Sequence, residues 1–128
     1  MNKRMLLLVL TGLLALALLA ACKSAGPDQA VAAFWQALVA KDAAQLSSLS
    51  CAAYEPEAQT TLESFNAVET KLQDMACTVV SQDGDSATVS CTGSIIATYG
   101  AEDMTIDLSV RTYTAKKEGG DWRMCGAE

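Results

Sequence analysis

The chain predicts an α+β domain: three N-terminal helices packed on one side of a curved four-stranded antiparallel sheet. Two observations carry this. Apolar residues recur at helical spacing through the first part of the domain, and from Ala76 the period changes to two, in segments rich in Val, Ile, Thr and Tyr. Short "DGD", "YGAED" and "EGGD" stretches separate those segments and supply the turns of a meander.

Pro27 and Asp28 start the first helix, "PDQAVAAFWQALVAKD", where Val31, Phe34, Trp35, Leu38 and Val39 fall on one face. Asp42, with Gln45 three residues on, resembles a capping box and opens a short second helix through "AAQLSSLS". "EPEAQTTLESFNAVETKLQDM" predicts a third helix over 55–75, with Leu62, Phe65, Val68 or Glu69, and Leu72 along one side. Glu55, Pro56 and Glu57 suit its first turn, where carboxylates complement the helix dipole. The strands are "CTVVSQ", "SATVSCTGSIIATY", "MTIDLSVRTYTAKK" and "DWRMCG". In the third of them Met104, Ile106, Leu108 and Val110 alternate with Thr105, Asp107, Ser109 and Arg111, which marks a strand with one wet face.

Ahead of the domain, "MNKRMLLLVLTGLLALALLAAC" has a basic start at Lys3 and Arg4, an apolar run over 5–21 and small residues before a cysteine. This reads as a secretory signal peptide over 1–21, since the run is at the short limit for spanning a bilayer. Its end, "LAAC" (19–22), resembles the bacterial lipobox. That resemblance implies diacylation of the Cys22 thiol, cleavage before it and acylation of the new amino terminus. Residues 22–26 then form a lipidated tether and 27–128 the domain. Two or three acyl chains anchor stably, so the expected site is a cell membrane or outer membrane, facing away from the cytoplasm.

Cleavage removes Lys3 and Arg4 and leaves a strongly acidic mature chain, with fifteen Asp and Glu in the whole sequence against nine Lys and Arg. No basic run interrupts that balance, which excludes nucleic acid as the expected partner. Anionic headgroups repel such a surface too, so the lipid is the expected membrane contact.

"AVAAFWQALVAKDAAQLSSLSC", the later "DGDSATVS" and "EGGDWRMCG" resemble bacterial lipoproteins of the nuclear-transport-factor-2-like superfamily. The resemblance covers about residues 27–126 and implies a cone-shaped fold shared by ketosteroid isomerases and polyketide cyclases. The superfamily holds enzymes, binders and scaffolds, so the fold does not name a function.

Exported cysteines meet oxidising surroundings and persist as disulfides. With Cys22 assigned to lipid, Cys51, Cys77, Cys91 and Cys125 remain, and four cysteines allow three pairings. A hairpin loop symmetric about Gly84 sets Cys77 opposite Cys91 on one face, within bridging range. A two-residue Asp83-Gly84 turn would pair Cys77 with Ser90 instead, so a bridge there selects the symmetric register. Cys51 and Cys125 pair by subtraction. The family resemblance points the same way, with a cysteine after the second helix ("LSC") and one after the last strand's "W-R-x" ("WRMC").

The chain has no histidine and no C-x-x-C, which leaves no zinc ribbon and no histidine triad. "DGD" at 83–85 lacks the order of a calcium loop. No metal or cofactor is expected. Catalytic members of the superfamily place a carboxylate base and Tyr or acid donors inside the cone; Asp103, Asp107, Tyr54, Tyr99 and Tyr113 are the residues of those types here. Asp107 falls on the wet face and Asp103 in a turn beside Glu102, so neither is expected to act as a buried base. The expectation is a non-catalytic binding or structural module, with no catalytic residue assigned. Its partner is a small apolar ligand or an envelope protein, and Phe34, Trp35, Tyr54 and Tyr99 are the candidate pocket residues. The alternative is a small isomerase or cyclase using a cone carboxylate.

Overall fold

A computed structural model describes residues 25–128; the predicted signal peptide over 1–21 and the predicted lipidation site Cys22 lie outside the described residues. Helices α1 (Pro27–Val39), α2 (Ala43–Ser48) and α3 (Glu55–Ser64) come first. Strands β1 (Glu69–Asp83), β2 (Ser86–Tyr99), β3 (Glu102–Asp107), β4 (Thr112–Glu118) and β5 (Asp121–Ala127) follow, with a 3-10 turn, Leu108–Val110, between β3 and β4. Among the described residues no helix is long and apolar enough to cross a membrane.

Proline at the first helical position and the Gly26 N–H, which donates to Gln29 Oε1 at 3.2 Å, begin α1. Its inner face, Ala30, Val31, Phe34, Ala37 and Leu38, is buried. The Asp42 carboxylate accepts the Gln45 N–H at 3.1 Å and starts α2 as its spacing predicts.

Helix α3 is shorter than the 55–75 expected, and ends at Ser64. Residues 69–73 instead pair with 94–98 of β2 in an antiparallel ladder. A helix through 75 would leave that edge of β2 without backbone partners, and the ladder supplies them. Leu72 still packs inward, now opposite Ile95.

The sheet has five strands where four were expected, because the third predicted strand is broken. Asp107 Oδ1 accepts both the Ser109 N–H (2.8 Å) and the Ser109 hydroxyl (2.7 Å), turning the chain into the 3-10 segment. A short acidic side chain bonding its own backbone competes directly with the ladder. Both halves still lie along one edge of β2: β4 pairs with Ser86–Ser90 and β3 with Ser94–Tyr99. Between those stretches sits Gly93, at φ +85°, opposite a bulge at Asp74–Met75. The long β2 strand bends there, and the bend curves the sheet over the helices.

The β1–β2 turn also differs from expectation. Asp83 pairs with Ser86 around a two-residue Gly84-Asp85 turn, with Gly84 at φ +58° as a type II′ turn requires. A register shift between Val79 and Ser81 then moves the ladder by one residue and restores Cys77 opposite Cys91. The cysteines meet through turn plus bulge rather than through a symmetric loop. Their Cα atoms are 4.1 Å apart, and those of Cys51 and Cys125 are 5.2 Å apart; both pairs lie at disulfide distance. Cys125 is the extra residue where the register shifts from Ala115↔Met124 to Thr114↔Gly126. Residues 49–51 run along the outer edge of β5, with the Met124 N–H on Leu49 O (2.7 Å) and the Cys51 N–H on Met124 O (2.9 Å). That contact covers an edge that would otherwise be open to pairing.

Candidate functional site

Concavities open at two places on the surface of the described residues. The smaller, about 310 Å³, lies between the start of α1 and β5 and is lined by a mixture of apolar and polar side chains, among them Ala33, Leu49, Trp122, Gln29 and Asp121. The larger, about 390 Å³, lies on the inner side of the curved sheet and has mainly apolar walls. Its size falls in the range of small-molecule sites, and its lining has the matching character.

Two helices and the inner face of the sheet build it. Helix α1 contributes Trp35 and Leu38. Tyr54, Glu57, Thr61 and Phe65 come from the start, body and end of α3, three or four residues apart and so on one helix face. The opposite wall is Ile95 of β2, Ile106 of β3, and Leu108, Val110 and Tyr113 around the broken strand. Leu108 keeps the inward side that it shares with Ile106 and is buried, while the break in the third strand leaves Val110 exposed at the rim. The Tyr113 hydroxyl donates to the Leu108 carbonyl at 2.7 Å and fixes the 3-10 turn against β4.

An aromatic group stands at the base. Trp35 meets Tyr113 edge-on at 5.3 Å between ring centroids and Phe34 edge-on at 5.2 Å, and Phe34 lies 6.0 Å from Tyr54. Such packing orients the rings beyond simple burial. Of the residues expected to form a pocket, Trp35 and Tyr54 come together in this cavity. Phe34 lies behind them in the core, 1% exposed, and Tyr99 sits at the exposed end of the β2–β3 hairpin, outside the cavity.

The charged residues are at the rim. Asp107 is fully exposed, and its hydrogen bonds from the Ser109 hydroxyl and then from the Ser109 backbone hold its pKa below the ordinary carboxylate value. Asp103 lies in β3 rather than in a turn, and accepts from the Thr98 hydroxyl at 2.7 Å on the outer side of the sheet. Burial pushes the Tyr54 phenol upward; nearby Glu57 adds to the shift and Arg111 opposes it. Burial likewise raises Tyr113, again opposed by Arg111. Arg111 and Glu57 were not singled out as site residues by sequence. A lone charge beside a strand or in a helix's first turn looks like any solvated residue, and only the fold brings these two to one phenol. Among the described residues no group of three or more Cys, Asp or Glu is placed to hold a metal ion.

The raised phenols set a pH dependence. A tyrosine whose folded pKa lies above its unfolded value of about 10 contributes stability present below that value and lost as pH rises through the folded one. Stability is therefore expected to fall above about pH 10 as Tyr54 and Tyr113 ionise. Absorbance titration near the phenolate band, run beside urea midpoints, checks it; Tyr113→Phe removes its share.

No protein-family model and no curated protein matches the chain. Similar solved structures include a SEC-C motif-containing protein from Rhodopseudomonas palustris, at 16% identity and TM-score 0.57, covering 87% of this chain and 84% of that one. The protein Aln2 from a Streptomyces species is 14% identical with TM-score 0.50, covering 82% and 91%. A member of the nuclear-transport-factor-2-like family from Streptomyces avermitilis is 19% identical with TM-score 0.49, covering 80% and 95%. At these identities the likeness speaks to the fold alone.

Proposed function

We propose that the chain is a lipid-anchored extracytoplasmic lipoprotein whose nuclear-transport-factor-2-like cone binds a small apolar ligand without transforming it. The observation that carries the binding role is the cavity of about 390 Å³ with Trp35, Leu38, Phe65, Ile95 and Ile106 in its walls and charges only at its rim. The cone assignment draws on the residue motifs together with the helices packed on a bent sheet. The anchor draws on "LAAC" after a basic start and an apolar run.

A binding role fits the carboxylates better than base catalysis does. A general base needs a pKa near the working pH and a place beside the reacting atom. Asp107 has its pKa held down and stands in water.

The test uses a compact apolar fluorophore, N-phenyl-1-naphthylamine, with residues 25–128. One probe is expected to bind per chain, with Trp35 emission quenched. Ala127→Trp, which places a bulky ring in the cavity wall, is expected to weaken binding at least tenfold at unchanged far-UV circular dichroism. Binding that survives this filling would remove the cavity as the site. For the anchor, intact mass of membrane-extracted protein is expected to equal residues 22–128 plus a diacylglyceryl group. A Cys22→Ala form processed and retained on the membrane to the same extent would refute it.

A further inference from the structure

We propose that the ligand is a zwitterionic amphiphile with one acyl chain, of lysophospholipid type, with its head at the Tyr54–Arg111 end of the cavity and its chain running out along β3. The proposal rests on the reading of the cavity as an apolar ligand site and changes what fills it: the acyl chain takes the apolar walls, and a charged head at the rim and a second stretch of surface are added.

The cavity continues into an uncovered apolar strip. Ile106, in its wall, lies opposite Ile95. Two residues back along β3, Met104 lies opposite Ala97, which is completely buried on the inner face. Tyr99 is two residues beyond Ala97 on β2. Alternate residues of a strand share a face, and directly paired residues share it too, so Ile106, Met104 and Tyr99 form one inner-face row, which Glu102, paired with Tyr99, closes at the solvent end with a charge. Ile106 is half-buried at the cavity, while Met104 is 45% exposed and Tyr99 46%. The row therefore begins inside the site and ends in solvent.

The helix side runs the same way. Tyr54 to Phe65 spans eleven residues, which makes a trough about 16 Å long at helical rise. At its far end the Val68 N–H donates to Phe65 O, and the next residue, Glu69, pairs with Thr98. The Phe65 end of the trough thus adjoins the Tyr99 end of the hairpin. An elongated apolar chain fits this path; a compact ligand would leave Met104 and Tyr99 bare.

The other end carries both signs of charge. Arg111 and Glu57 both act on the Tyr54 phenol, and Asp107 joins them at the rim. A purely anionic head placed against Arg111 meets two carboxylates, and a purely cationic head placed against those carboxylates meets Arg111. A phosphate on Arg111 with an ammonium toward Glu57 and Asp107 satisfies all three.

The test uses the mature lipidated chain in nanodiscs and photoreactive ligands of one chain length carrying a diazirine at the chain end. The heads compared are phosphocholine, carboxylate and trimethylammonium. The phosphocholine ligand is expected to label Met104 or Tyr99, at about tenfold higher yield than either singly charged ligand. Arg111→Gln should remove that preference, and Met104→Glu should lower labelling by the long chain but not occupancy by an octyl analogue. Equal labelling by all three heads would overturn the head assignment. Labelling confined to Trp35, Leu38 or Phe65 would overturn the chain route while keeping the cavity. No labelling of any of these residues in a folded protein would remove the cavity reading itself, and this proposal with it.

Discussion

Gly93→Ala is expected to destabilise the domain by about 3–5 kcal/mol, enough to leave a marginally stable fold largely open. Two independent costs add. Gly93 has φ +85°, a conformation that L side chains rarely adopt. A Cβ built there would also lie 2.5 Å from the backbone oxygens of both Gln73 and Asp74, in the bulged stretch of β1. Backbone cannot swing aside as a flexible side chain can, so the bulge or the bend has to give. Both outcomes reach the site, because Ile95 and the β3 wall follow directly after the bend. Gly84→Ala is the matched control. Its φ is +58°, yet nothing lies within 4 Å of the added carbon, so it should cost only about 1 kcal/mol. Urea midpoints at constant slope measure both. Equal losses at the two positions would show that the close approach at the bend carries no special weight.

The same bend shows why sequence takes this fold only part of the way. α1 was readable because Val31, Phe34 and Leu38 can share a face only on a helix, and α2 because Asp42 and Gln45 stand at capping distance. The boundary between α3 and β1 was not. Phe65, Val68 and Leu72 satisfy helical spacing, while Val68, Thr70 and Leu72 also satisfy alternation. The partner strand decides between them, and 94–98 is far along the chain. The third strand misled in the opposite way: Leu108 and Val110 continue its alternation, but Asp107 caps Ser109 and turns the chain regardless. An Asp two residues before a Ser is a legible signal for such a turn, and it outweighed three further residues of pattern. The aromatic half of the site followed from residue type, through Trp35 and Tyr54. Its empty volume did not, since a space between α3 and a broken strand has no period of its own.

Removing the Cys51–Cys125 pair is expected to cost more than removing Cys77–Cys91. The first joins residues 74 apart and the second residues 14 apart. In the chain-entropy account, closing such loops contributes about 4.5 and about 3 kcal/mol. The structure adds a local reason. Residues 49–51 lie on β5 through two backbone hydrogen bonds, and the chain leaves that contact directly into Tyr54 and α3, one wall of the cavity. Freeing Cys51 from Cys125 loosens the helix over the site, whereas Cys77 and Cys91 sit in a ladder already paired on both sides of them. Double alanine variants avoid leaving a stray thiol and remove each pair cleanly. The Cys51→Ala/Cys125→Ala chain should lose about 1.5 kcal/mol more by urea midpoint. It should also bind the apolar probe more weakly than the Cys77→Ala/Cys91→Ala chain. Non-reducing peptide maps of the parent protein must first show the two expected links; a Cys51–Cys77 link would overturn the pairing. If the maps agree and the two double variants bind the probe equally, the link to β5 stabilises the fold without shaping the site, and the wall formed by α3 is held by its core residues Ala58 and Leu62 and by its hydrogen bonds to α2.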